Sequence, residues 1–195
     1  SPQHSKPSGN IGLQPFPMPA HADLLSPVAL AIVFWYSLAK RYTMYTQVFL
    51  GLALAVAPVG GWLAAGGRAG WQPWLLGLAT GTWVAGFDIL YACEDFEFDR
   101  AQGLRSIPVR FGVARSLWIS RAFHVLAVGS LAALALVTSL GPLYLVGVVG
   151  VTMLLAYEQS LVSANDFSRV KLAFNLNGYV GILYLVVTAA ALYVR

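Results

Sequence analysis

Charge is what this sequence has least of. Lysine, arginine, aspartate and glutamate make up 10% of its 195 residues, against 58% hydrophobic, whereas a soluble globule carries about a quarter charged residues. So little polar surface cannot close around a water-soluble core, and the composition is that of an integral membrane protein. Cysteine occurs once, at Cys93, which excludes an internal disulfide and any multi-cysteine metal centre. Set in an apolar run, it reads as a small buried packing residue. Histidine is scarce too: His4 and His21 lie in a proline-rich start and His124 stands alone in an apolar stretch. The eight acidic residues are outnumbered by twelve basic ones. The basic residues lie between apolar runs rather than on one continuous patch, so they read as topology determinants and no nucleic-acid partner is expected. No internal repeat of the kind that marks inverted-repeat transporters is visible.

Long apolar runs are what the sequence does have. Residues 1–23 carry five prolines and no apolar period, and are expected to form a disordered leader. From there the chain reads as one all-α, polytopic transmembrane bundle over 24–195, with spans predicted at 24–39, 44–65, 73–99, 116–140, 143–164 and 172–194. The first is about 16 residues, short against the roughly 20 a full crossing needs. The second contains Pro58, expected to kink it, and the third contains Gly77-x3-Gly81, a spacing that permits close helix contact. Numbering the connections alternately gives one side Lys40, Arg41, Arg100, Arg105, Arg110, Arg115, Arg169 and Lys171, and the other only Arg68 and Arg195. That bias predicts the first side to be cytoplasmic.

The third run ends in acid and passes straight into a basic loop, GFDILYACEDFEFDRAQGLRSIPVRFG at 86–112. Helical residues advance about 100° each, so Asp88, Asp95 and Asp99 fall on a stripe roughly 40° wide, with Tyr91 at its edge. Carboxylates placed so close repel one another and call for a cation. Magnesium suits them, since it takes oxygen ligands and is commonly shared between one or two carboxylates and a substrate phosphate. The loop beyond supplies Arg100, Arg105, Arg110 and Arg115, whose guanidinium forks fit phosphate oxygens. Spacing alone leaves two readings open: a diphosphate cradle, or a solvated helix end followed by an ordinary arginine-rich loop. Arg121, His124 and Glu158 are ionisable groups inside spans, and a structural pairing among them is expected.

These residues resemble the second aspartate-rich region of the UbiA superfamily of intramembrane prenyltransferases. The matching positions are Asp88, Tyr91, Asp95 and Asp99, then Gly103-Leu104-Arg105-Ser106-Ile107-Pro108 and Arg110-Phe111-Gly112. A second match runs from Leu25-Ser26-Pro27 through Tyr36, Lys40 and Arg41 to Ala57-Pro58-Val59-Gly60, similar to the branch that handles 4-hydroxybenzoate and related quinone precursors. The resemblance implies a helical membrane fold of nine spans around a cavity, and transfer of a polyprenyl group from an allylic diphosphate to an aromatic ring. It implies catalytic positions at Asp88, Tyr91, Asp95 and Asp99. Mg2+ would be held by the three aspartates, and the diphosphate would be contacted by Lys40, Arg41 and Arg105. The expected surroundings are the bilayer of a plasma (inner) membrane, with the site facing the cytoplasm.

The family's first acidic region has no counterpart in 1–23, where only Asn10 and Asp23 are available. About three spans are absent with it, so six of nine are expected, and the 195 residues alone are expected to be impaired. Two alternatives stand beside the enzyme: a non-catalytic helical remnant, and a cation transporter using the acidic stripe.

Overall fold

The computed structural model describes residues 27, 30, 31, 34, 35, 39, 41–68 and 70–194. Among them seven helices follow one another without a strand: α1 (Thr46–Ala64), α2 (Gln72–Ala92), α3 (Phe96–Ala101), α4 (Ile107–Phe111), α5 (Val113–Val137), α6 (Gly141–Ser160) and α7 (Val170–Tyr193). Five of these, α1, α2, α5, α6 and α7, are long and apolar enough to cross a membrane. Even the shortest, at 19 residues, spans roughly 29 Å, about the thickness of the hydrocarbon layer. The leader expected over 1–23 lies outside the described residues, as does most of the span expected over 24–39.

α1 runs through Pro58 as one helix. It lies close against α2 because the contact is glycine: a Cβ on Gly51 would collide with the carbonyl oxygen of Gly81, and one on Gly77 would stand 3.1 Å from the Ala55 oxygen. The Gly77-x3-Gly81 spacing therefore does what such spacing permits, letting two backbones approach. α2 packs in turn on α5, where Gly86 leaves room for the ring of His124.

One expectation fails at the third span. The helix predicted to run unbroken to Asp99 stops at Ala92, turns through Cys93, Glu94 and Asp95, and restarts as α3. The Cys93 N–H reaches back to both Ile89 and Leu90, and the Glu94 N–H bonds the Tyr91 carbonyl at 2.9 Å, the tightening typical of a helix end. A continued helix would have carried Glu94, Asp95, Glu97 and Asp99 along the apolar bundle, where ionisable groups are costly. The break turns Glu94, Asp95 and Glu97 out, and places Glu97 and the buried Asp99 in the first turn of α3, where the helix dipole favours acids. Gly103 (φ 65°) and Gly112 (φ 81°) then allow two sharp turns before α5 begins.

The core has two parts. In the middle of the bundle Leu131, Tyr144, Val148 and Leu155 of α5 and α6 meet Ala79 of α2 and Val180 of α7. Tyr144 keeps its hydroxyl satisfied there, donating to the Leu131 carbonyl at 3.1 Å. Nearer the acidic end, Leu90 and Cys93 pack with Leu117, Leu161, Val170 and Ala173. That second cluster fixes the end of α2 against the starts of α5 and α7. Outward faces are apolar as well: Leu136, Trp118 and Leu185 are largely exposed, as side chains facing lipid would be.

Candidate functional site

The acids belong to two helices, not one. Asp88 sits half-buried in the last turns of α2, Asp95 is exposed at the start of α3, and Asp99 is buried within α3. The 40° stripe of a single helix is therefore replaced by a bend that brings the three carboxylates into different environments. Among the described residues no group of three His, Cys, Asp or Glu side chains gathers closely enough to hold a metal ion by itself. Tyr91, at the same end, lays its ring edge-on against Phe174 of α7, centroids 4.8 Å apart.

The basic partners do meet. Arg105 donates from Nη1 to the Tyr42 carbonyl at 2.8 Å, joining the loop before α4 to the turn before α1. An open cavity of about 440 Å³ lies there, lined by Tyr42, Thr43, Tyr45, Arg105 and Arg110 among others. Ser106 shapes this wall locally: its Oγ accepts from the Val109 N–H and caps α4. Arg41 is exposed next to Tyr42; Lys40 lies outside the described residues. Arg105 thus reaches the 41–45 turn although the two are separated by 63 positions.

The pairing expected among Arg121, His124 and Glu158 is not what forms. The Arg121 guanidinium lies over the Trp118 ring, 4.8 Å from its centroid, an arrangement that satisfies a cation with an aromatic face instead of a carboxylate. His124 Nδ1 meets Gln159 Nε2 at 3.1 Å, and the same amide donates to Ser120 Oγ, which donates to the Gly86 carbonyl at 2.6 Å. Glu158, fully buried, accepts from Asn177 Nδ2 at 3.2 Å. Sequence reasoning picked out His124 and Glu158 but missed Ser120 and Gln159, because amide and hydroxyl side chains carry no charge to flag them. The one usable signal was four polar residues, Ser120, Glu158, Gln159 and Asn177, inside otherwise apolar spans. Between α6 and α7, Asp166 is exposed, and the Ser168 N–H donated to it at 2.9 Å holds its carboxyl below the usual carboxylate range.

Fold and site together define a class: an all-helical, membrane-spanning protein that collects carboxylates and guanidinium groups where its helices emerge. The chain belongs to the UbiA prenyltransferase family, whose model matches residues 15–192. It is similar to the 4-hydroxybenzoate octaprenyltransferase of Pseudoalteromonas translucida (strain TAC 125), 32% identical over 169 residues, which cover 84% of this chain and 56% of that protein. The 4-hydroxybenzoate octaprenyltransferase of Vibrio campbellii (strain ATCC BAA-1116) is 30% identical over 168 residues, 83% of this chain and 57% of the relative. Among solved structures, the apo structure of a UbiA homolog from Aeropyrum pernix K1 superposes with a TM-score of 0.77 at 33% identity, covering 91% of this chain and 65% of the other. The chain spans a little over half the length of the curated relatives it matches.

Proposed function

We propose that this chain provides the second acidic half of a prenyltransferase site, for transfer of a polyprenyl group from an allylic diphosphate to an aromatic acceptor such as 4-hydroxybenzoate, in quinone biosynthesis. The observation that carries the reading is the junction of Arg105 with the 41–45 turn, near the bend that bears Asp95, leads to Asp99 and follows Asp88 of α2. Acids alone would suit a cation, and arginines alone an anion. Both at one helix end suit a diphosphate held through a divalent ion.

The donor set is compatible with magnesium on one condition. The three carboxylates do not close around an ion by themselves, but magnesium needs only one or two carboxylates when substrate phosphates and waters complete its shell. Asp88, Asp95 and Asp99 are the residues that would hold it. When bound, magnesium would neutralise charge on the departing diphosphate. Arg105 and Arg41, with Lys40, would take the outer phosphate oxygens as fixed donors. As the allylic carbon–oxygen bond breaks, the electron pair leaves with the diphosphate. The ring carbon beside the acceptor's phenol then forms the new carbon–carbon bond and gives up its proton. Tyr91 and Phe174 offer aromatic surface at this end, suited to a developing allylic cation. The apolar bundle keeps out the water that would quench that cation. The site would face the cytoplasm from a plasma membrane, on the side that receives eight of the connecting cations.

Membranes carrying the full-length gene product that contains this chain, given magnesium, a polyprenyl diphosphate and 4-hydroxybenzoate, are expected to yield prenylated acid, and chelation with EDTA is expected to stop the reaction. Asp95→Ala should lower the rate by about 100-fold while membrane insertion is unchanged. Full activity in that variant would remove the acids from the metal role. Absence of product with every aromatic acid tried would reject the reading.

A further inference from the structure

Asn177 of α7 is a buried amide used at both ends. Its Oδ1 accepts from the Trp83 indole of α2 at 2.8 Å, and its Nδ2 donates to Glu158 Oε1 of α6 at 3.2 Å and to the Ala173 carbonyl at 3.3 Å. One side chain therefore joins three helices. Its partner Glu158 is fully buried, with Oε2 lacking any hydrogen bond. Burying a carboxyl with only one of its oxygens bonded is costly, and the same shape in apolar atoms would pack at less expense. The group is therefore better explained by where it holds its neighbours than by stability.

What it holds is the functional end of α2. Trp83, Phe87 and Tyr91 are spaced four apart and share one face of that helix. Trp83 meets Phe87 edge-on at 5.9 Å, and Phe174 of α7 meets both Phe87 at 6.4 Å and Tyr91 at 4.8 Å. Phe174 and Asn177 lie three apart on α7, so the ring contacts and the hydrogen bond act from one face. Ring contacts tolerate sliding along the helix axis. The hydrogen bond from Trp83 does not, because its geometry is lost within a fraction of an ångström to one ångström. It is the element that can set axial register.

We propose that Asn177, fixed by Glu158, is a positioning residue that sets the height at which α2 presents Tyr91 and Asp88. This rests on the proposed role of those two residues, and it places register control at Trp83, ten to twelve residues before the acidic bend.

The test uses the full chain in lipid nanodiscs, with Asn177→Leu, Glu158→Leu and Glu158→Gln compared with the parent. Hydrogen exchange is followed at 87–95 and, as an internal reference, at 127–134 in α5; binding of magnesium pyrophosphate is measured on the same samples. Asn177→Leu and Glu158→Leu are expected to speed exchange at 87–95 by about tenfold with the α5 reference unchanged. Pyrophosphate binding should weaken by about tenfold in both. Glu158→Gln keeps an acceptor oxygen for Asn177 and should restore both readouts. A uniform rise in exchange over all helices, or exchange at 87–95 equal to the parent, would overturn the proposal, as would undiminished pyrophosphate binding. If the parent itself binds no pyrophosphate, the proposed reaction fails, and the localised exchange alone decides whether Asn177 sets the register.

Discussion

Cys93 lies at the hinge between α2 and the acidic turn, 1% exposed and packed with Leu90, Leu117 and Leu161. Burial pushes its thiol up to about 12. Only the thiolate attacks an electrophile, so at pH 8 the folded protein holds roughly a thousandth of the reactive form that a free cysteine would. Alkylation by a maleimide should accordingly be about 1,000-fold slower in the folded protein than after unfolding in SDS, and should climb about tenfold per pH unit with no plateau below pH 11. Time-resolved mass spectrometry of the labelled protein checks both. Fast labelling at pH 8 would mean that the end of α2 opens readily, which a site built on that bend would not survive.

At the scale of elements, glycine decides how α1 meets α2. A methyl group at Gly51 would strike the Gly81 carbonyl, a backbone atom that cannot swing aside, so Gly51→Ala should cost about 1–3 kcal/mol through forced separation of the helices. Gly129 in α5 has nothing near its missing Cβ, and Gly129→Ala should gain about 0.5–1 kcal/mol from helix propensity alone. Thermal melts in detergent separate the two: a falling midpoint for the first and a steady or rising one for the second. The contact was legible beforehand, because small residues four apart in an apolar run have one common use. The five spans were legible for the same reason, apolar length being a strong signal. The bend at Cys93 was not. The 3.6-residue period of 86–99 continues through it, and what ends the helix is the price of keeping four acids against lipid, which periodicity does not weigh. Nor could the sequence show that Trp83 bonds Asn177, 94 positions away; a hydrogen bond between apolar spans is specified by helix packing, which only the folded chain supplies. The acids, Arg105 and Arg110 were named from their spacing and from the family pattern, while Tyr42 and Tyr45 joined the two arginines in one cavity only through the contact of Arg105 with the 41–45 turn.

The molecule as a whole is a bundle with unequal ends. Crossing helices of alternating direction put the 41–45 turn, the acidic bend, α4 and the α6–α7 turn at one end, and the connection around Arg68 at the other. Eight of the connecting cations, Lys40, Arg41, Arg100, Arg105, Arg110, Arg115, Arg169 and Lys171, go to the first end, and short basic loops are retained on the cytoplasmic side during insertion. That orientation would matter to the proposed reaction, since a diphosphate head and an aromatic carboxylate are charged and would be met at the water-facing end of the bundle. Ala65 and Gln102 are exposed at opposite ends of the bundle, and Cys93 is a silent background at neutral pH. In sealed right-side-out vesicles, a membrane-impermeant maleimide should therefore label Ala65→Cys at once and Gln102→Cys only after permeabilisation. Inside-out vesicles should give the opposite order. The reverse assignment would put the carboxylates and Arg105 on the outer face, where a cytoplasmic supply of diphosphate could not reach them, and the proposed reaction would fall with the topology.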